Sequence, residues 1–562
     1  MKKTVLFLFS FICTYAGWAQ GPVLRNQNTD FSKGYFILNE DQFGTYNSSL
    51  NFLSDQKEFS YRVFAACNDG KTLGVTASYG QIYGDHMFFV CKQGARLTIS
   101  DKKNLKIENQ IEEIGAKSID GRSGLGVDEN KLYIGSTSGI FVYNISKKEL
   151  SKLPIKGTDD PTKVNEKTTA PLSGEIGSMV RYGDRVFAVH RNHGLLVVDA
   201  QADTLITYLP IPQEESQKFG IGSVVLAKNG KLYLSLVLSD GGSAPSLLEV
   251  DPVTLKTSQI NLPEEIPGPA NSWYAWTPDA FFASKIDNTL YWTGGKGSWF
   301  AKNKIYKYDL GTQKAQQIID LAEIGWEIYG CSLRENPLNG NLVMSLFKGW
   351  GKDNFAVAEY DKEGKHTLYT LKNHYWFPSL PIFPDEANPE IKPLPETQVE
   401  ESKVAPIEIA LLDYVSDTDS PEVAIWTQLV ENSTPEVAQV KVKMNKLHIE
   451  PTGKKGETNI KIKYNSNGKI AFSTLTYKVT DNVAIQQIGE KENIRIIARD
   501  NQMEIIGLSG YHIGIYDLSG VCITQVRIRD AQEVVPVILP SGVYVIRANN
   551  GLAERSIKVL VP

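Results

Sequence analysis

From about residue 34 to residue 384 one alternation of apolar and polar runs recurs. It consists of an apolar strand, a short polar turn, a second strand carrying an aromatic or other large apolar residue, a loop, and a third strand that often ends in Asp. The second strands set the period: Met87-Phe88-Phe89-Val90, Leu132-Tyr133-Ile134, Val186-Phe187-Ala188-Val189, Leu232-Tyr233-Leu234, Leu290-Tyr291-Trp292 and Leu342-Val343-Met344. Their second residues are spaced by 45, 54, 46, 58 and 52 positions, which fits a propeller blade of about 40–50 residues with loop insertions. Turns such as Lys228-Asn229-Gly230, Tyr182-Gly183-Asp184 and Leu338-Asn339-Gly340 supply the positive φ that tight hairpins require. Three strands before the first full unit (34–39, 48–53, 59–64) have no inner partner, and one lone strand (379–383) follows the last. Pairing them completes a further blade and leaves no long sheet edge open. The pattern therefore predicts an all-β fold opening with a seven-bladed β-propeller over residues 20–385. The competing reading, an array of β-sandwiches, shares the short strands but has no need of orphan strands at both ends.

Past Pro384 the pattern changes. Residues 386–403 are acidic and Pro-rich, the composition of an extended linker. Residues 404–484 return to strict alternation, as in Val440-Lys441-Val442-Lys443 and Ile460-Lys461-Ile462-Lys463, and residues 485–562 form a further all-β unit. Two small β-sandwich domains are expected to follow the propeller. Asp413, Asp417 and Asp419 are open to two readings, a calcium site or a polar strand-to-turn corner. At the other end, Lys2-Lys3, the apolar run Val5–Tyr15 and Gly17-Trp18-Ala19 read as a signal peptide over residues 1–19. Cys13 lacks the small neighbours of a lipidation signal. No other stretch reaches the length of a membrane-spanning helix, so an exported protein is expected, extracellular or held at the cell surface or outer membrane.

Composition narrows the functional classes. With 59 Lys and Arg against 64 Asp and Glu, the formal charge is −5, and no overall basic excess exists to neutralise nucleic acid. Five cysteines in 562 residues are too few and scattered for a disulfide framework or zinc cluster. No His-Glu-x-x-His, Gly-x-Ser-x-Gly or Walker loop occurs, so no catalytic residues, metal or cofactor are assigned. His190 and His193 would need a third ligand to hold a metal, and otherwise read as a polar pair.

The positive signal is the placement of large aromatics. Loops joining second to third strands, and loops joining one unit to the next, emerge on one face of a propeller. Trp273, Tyr274, Trp276, Trp299, Phe300, Trp326, Tyr329, Trp350, Tyr375 and Trp376 all fall in such loops. Arg122, Arg181, His190, Arg191 and His193 are expected to add polar groups to that face. Large aromatics in loops are costly to expose unless they contact something, and flat apolar ligands, a tetrapyrrole or stacked sugar rings, suit them. The alternative is that each indole is a wedge packed between blades.

Three resemblances extend this reading. Gly34-Tyr35-Phe36-Ile37-Leu38-Asn39-Glu40 with Ser48-Ser49-Leu50, Tyr329-Gly330, Pro337-Leu338-Asn339-Gly340 and Tyr360-Asp361-Lys362-Glu363-Gly364 resemble the YncE-like surface propellers of gut bacteria. Among those are cobalamin-binding surface proteins that pass vitamin B12 to an outer-membrane TonB-dependent transporter. Leu411 to Asp419 resembles the opening of cadherin-like or immunoglobulin-like modules. Ile515-Tyr516-Asp517-Leu518-Ser519-Gly520 with Leu539-Pro540-Ser541-Gly542-Val543-Tyr544 resembles the C-terminal sorting domain of type IX secretion. Together they imply a non-enzymatic cell-surface protein capturing a corrinoid or similar planar nutrient. Open beside this are a polysaccharide-binding protein, lyase or glycosidase, for which Asp279 and Glu327 are the candidate carboxylates, and an adhesin.

Overall fold

A computed structural model describes residues 29–159, 175–190, 193–210, 219–238, 243–269, 281–295, 301–330, 332–400, 404–480, 484–487, 494–499, 501–551 and 553–561. The chain divides into two compact units. The first holds the residues up to 389 together with 416–426 and 465–470, and the second holds the remainder.

The first unit is built from successive antiparallel sheets. In the second sheet the strands Val75–Tyr83, His86–Gln93, Leu97–Asp101 and Ile107–Ile111 pair in chain order. The third (Gly121–Asp128, Lys131–Ser136, Gly139–Asn144, Glu149–Leu150) and the fourth (Ile176–Tyr182, Arg185–His190, Gly194–Asp199, Thr204–Leu209) repeat that order. So do the fifth, from Phe219–Leu226 to Thr257–Asn261, and the sixth, from Phe281–Ala283 to Lys314–Asp320. A larger seventh sheet is centred on Leu342–Phe347 and Phe355–Tyr360.

The first sheet is assembled from both ends of the unit. Gly34–Asn39 pairs with Ser49–Ser54 on one side and with the late strand Pro378–Ile382 on the other, in the register Leu38↔Leu380. The orphan strands foreseen in the sequence thus meet.

Why the sheets sit side by side follows from their faces. Each sheet is apolar on both, and each shares a core with its successor. Phe88, Val90 and Leu97 of the second sheet pack with Leu132, Ile134 and Phe141 of the third. Equivalent clusters join the first to the second, the third to the fourth, the fourth to the fifth, the fifth to the sixth and the sixth to the seventh. Val343 and Val357 of the seventh then pack with Tyr35, Ile37 and Leu53 of the first, where the Tyr35 hydroxyl also donates to Glu359 at 2.7 Å. This is a β-propeller arrangement. Phe88, Phe89, Tyr133, Tyr233 and Trp292, second-strand residues, are fully buried in these interfaces.

Crowding where the third sheet's leading strand meets the second sheet selects glycine. A Cβ at Gly126 would meet the Tyr83 ring at about 2.0 Å, and one at Gly121 would meet the Cys91 carbonyl oxygen at 2.4 Å. Of the later residues, Gly456–Ser466 and Lys469–Thr480 lie in one sheet with Trp426–Asn432 and Thr397–Glu400. Two four-stranded sheets built from residues 484–561 share a single core that includes Ile505, Ile515, Ile546 and Val559. Among the described residues no helix is long and apolar enough to cross a membrane.

Leu380 carries the join between the chain's two ends and is buried against Leu38 and its neighbours. Leu380→Ala should lower the stability of the propeller transition by about 2–5 kcal/mol in urea unfolding. An unchanged midpoint would mean that the closing strand contributes no packing.

Candidate functional site

One end of the leading strands gathers buried charge from four sheets. Glu40 and Asp41 follow directly on Gly34–Asn39, whose last residue pairs with Pro378 at the start of the closing strand. Lys92 lies near the end of His86–Gln93, beside the start of Val75–Tyr83. Asp120 and Arg122 open the third sheet's leading strand, Glu175 immediately precedes the fourth's, and His190 pairs with Ile176. Antiparallel pairing brings strand ends and strand starts together, so residues far apart in sequence share this end.

The charges alternate in sign. Arg122 Nε lies 2.9 Å from Glu175 Oε1, and Arg122 Nη2 lies 4.0 Å from Asp120 Oδ2. Tyr329 donates its hydroxyl proton to Glu40 Oε2 at 3.0 Å. Lys92 interacts electrostatically with Asp120, Arg122 and Glu40, and burial holds its ammonium below the usual lysine range. Burial also pushes the Glu40 carboxyl up to about 8, against the Tyr329 hydrogen bond and the Lys92 charge. Asp41 Oδ1 meets His374 Nε2 at 2.8 Å, and that nitrogen is 2.9 Å from Arg62 Nη2; burial raises the Asp41 carboxyl. Glu40 Oε1 and Arg122 Nη1 are buried with no hydrogen-bond partner among the described residues. The backbone is strained at the same end: Asp41, Arg62, Thr76 and Phe377 all hold positive φ.

Aromatics surround this floor, but most are packed rather than presented. Trp376 stacks on Tyr61 with 5.2 Å between centroids, meets His374 edge-on at 4.5 Å and donates Nε1–H to the Lys372 carbonyl at 2.6 Å. Tyr329 and Trp376 belong to one buried cluster with Phe347, Phe355 and Phe377. Trp326 is buried in the core between the sixth and seventh sheets, with Lys348 Nζ 4.6 Å from its ring centroid. Tyr375 is half-buried. Trp350, edge-on to Phe377 at 5.1 Å, is 64% exposed, and Phe43, beneath Lys92 Nζ at 5.2 Å, is 60% exposed.

The candidates named from sequence therefore separate. Arg122, His190, Tyr329 and Trp376 are buried at this end, and the His193 ring lies tilted against that of His190 with 4.5 Å between centroids. Arg181 is not with them. It lies near the far end of Ile176–Tyr182, where its guanidinium donates to the Gly183 and Val127 carbonyls; a seven-residue strand carries it about 20 Å away from Glu175. Trp273, Tyr274, Trp276, Trp299, Phe300 and Arg191 lie outside the described residues, as does Asp279, while Glu327 is half-buried. Sequence reasoning missed Glu40, Asp41, Arg62, Lys92, Asp120, Glu175, His374 and Phe43. Its one available signal was a charge abutting an apolar strand run, as in Leu38-Asn39-Glu40-Asp41. Among the described residues no three His, Cys, Asp or Glu side chains are grouped to hold a metal.

A family model described as "Domain of unknown function (DUF5074)" matches residues 33–384, more than half of the chain, and the chain belongs to that family. Among solved structures the chain is similar to a quinonprotein alcohol dehydrogenase-like protein from Bacteroides thetaiotaomicron, with 20% identity over 63% of this chain and 79% of that one and a TM-score of 0.45. It is also similar to the calcium-binding protein regucalcin from Agrobacterium tumefaciens, with 15% identity over 48% of this chain and 79% of that one and a TM-score of 0.31. No curated protein matches.

Glu40 gives the site a pH signature. Its carboxyl titrates near 8 in the fold and near the ordinary 4.5 in the unfolded chain. Folding therefore keeps a proton that the unfolded chain releases, and stability falls as pH rises from about 4.5 to about 8. Relative to Glu40→Gln, the wild type should lose on the order of 3 kcal/mol between pH 5 and pH 8 in chemical denaturation. Parallel stability curves for the two proteins would contradict a protonated Glu40.

Proposed function

We propose that this is an exported, non-enzymatic ligand-binding protein, a seven-bladed propeller followed by two small β-sandwich domains. Its ligand, a corrinoid or similar planar nutrient, sits over the Glu40–Lys92–Asp120–Arg122–Glu175 cluster. The observation that carries this reading is a buried polar floor in which Arg122 faces the carboxylates of Asp120 and Glu175, and in which Glu40 Oε1 and Arg122 Nη1 have no hydrogen-bond partner among the described residues, beside the exposed rings of Phe43 and Trp350. A corrinoid has a flat apolar body and a periphery of primary amides that both donate and accept hydrogen bonds. The rings offer contact to the body and the cluster offers both kinds of partner to the amides. The YncE-like resemblance of residues 34–384 points the same way and extends to delivery to an outer-membrane TonB-dependent transporter. The signal peptide, the immunoglobulin-like module and the sorting-like C-terminal domain are the export and surface-retention parts of the same proposal.

A glycan ligand is the second reading, and it rests on Trp350, since an exposed indole is a platform on which a sugar ring stacks. Isothermal titration of the mature chain with cobinamide, cobalamin and a glycan panel separates the two. Sub-micromolar corrinoid binding is expected, weakened by about tenfold or more in Arg122→Gln. Heat from glycans alone replaces the corrinoid reading with the second one, and silence with every corrinoid removes it.

A further inference from the structure

The opposite end of the same strands holds a cavity of about 420 Å³, within the size range of small-molecule sites. One strand from each sheet of the first unit contributes to its wall, and segments 416–426 and 465–470 complete it. Its charged groups differ in how they are partnered. The acids are largely occupied, Asp419 Oδ1 excepted. Asp385 binds Lys469 and Asn467, Asp419 Oδ2 accepts the backbone N–H groups of Glu386 and Ala387 at 2.9 Å each, and Glu335 accepts the Ser284 hydroxyl and the Lys285 N–H at 2.9 Å.

The side-chain hydrogen bonds of the cations go only to carbonyl oxygens. Arg181 Nε donates to the Gly183 carbonyl at 2.8 Å and its Nη1 to that of Val127, while its guanidinium is fixed 3.7 Å over the Trp426 ring. Arg334 Nη1 donates to the Leu333 carbonyl at 2.6 Å, and Lys285 Nζ reaches the Asp419 carbonyl at 3.4 Å. None of the three forms an ion pair among the described residues. Arg181 and Arg334 are half-buried and Lys285 is exposed, Asp128 and Asp184 act on Arg181 through space, and an anion in the cavity would add charge-assisted hydrogen bonds to all three cations. Burial holds the Arg181 pKa down to about 10, still well above neutral pH, so the charge is present to be used.

We propose that this cavity binds a small organic anion, a carboxylate or a phosphate ester, through Arg181, Arg334 and Lys285. An adjoining cavity of about 310 Å³ shares Lys285 and Asp419 and is lined also by Lys228, Lys362, Asp417 and Glu422; it accommodates the polar remainder of such a molecule. The site is independent of the ligand proposed for the other end of the strands.

The test is isothermal titration of the full mature chain with citrate and with glucose 6-phosphate, paired with thermal unfolding. Saturable one-to-one heat from at least one of them, with a rise in unfolding midpoint, is expected, and the stronger binder identifies carboxylate or phosphate as the preferred group. Arg334→Gln and Lys285→Gln should each weaken that binding by about tenfold, while Lys441→Gln, which removes an exposed cation elsewhere, should leave it unchanged. No saturable heat from either anion up to about 10 mM, or wild-type affinity in both Arg334→Gln and Lys285→Gln, overturns the proposal. Arg181 is left intact because its stacking on Trp426 also contributes to packing.

Discussion

The structure depends on the pairing of Gly34–Asn39 with Pro378–Ile382. A row of sheets that are apolar on both faces has nothing to cover its two outer faces, and its terminal strands expose unpaired backbone groups. Supplying the first sheet from both ends of the unit removes both problems. The late strand completes the ladder, and the completed sheet presents one face to Ala77, Met87 and Phe89 of the second sheet and the other to Val343 and Val357 of the seventh. Neighbouring sheets are then packed so tightly that Gly121 and Gly126 of the third sheet have no room for a side chain against Cys91 and Tyr83 of the second.

That packing explains the chemistry at both ends. Leading strands start at one end and finish at the other, so each sheet delivers one set of residues to each end. At the starting end the delivered residues are charged and largely buried. Arg122 and Glu175 compensate one another, while Glu40 avoids the cost of a buried charge by keeping its proton. At the finishing end the compensation is uneven. The carboxylates are bound by Lys469 and by backbone N–H groups, whereas the hydrogen bonds of Arg181 and Arg334 go only to carbonyl oxygens.

Much of the fold was legible in the chain because its signals are local. A hairpin turn needs its Gly or Asn within a few residues of the strands it joins, and Tyr133, Phe187 and Tyr233 recur at the spacing of a repeated unit. The aromatic face was less legible. A tryptophan in a loop satisfies the same sequence pattern whether it faces solvent or packs, and Trp326 and Trp376 pack while Trp350 does not. Arg181 was placed on the wrong end of its strand because alternation reports which face a side chain takes, not how far along the strand it lies.

The sequence by itself determined the strand period, the turns, the unpaired strands at both ends of the unit and the change of composition after Pro384, since each depends on neighbours in the chain. Only the tertiary structure decided which charges meet. Glu40 finds Tyr329, Asp41 finds His374, and Arg181 finds Trp426 across separations of 289, 333 and about 245 residues. Such pairs leave no trace in local periodicity, because the energy that selects them, the cost of an uncompensated charge away from water, exists only once the chain has packed around them.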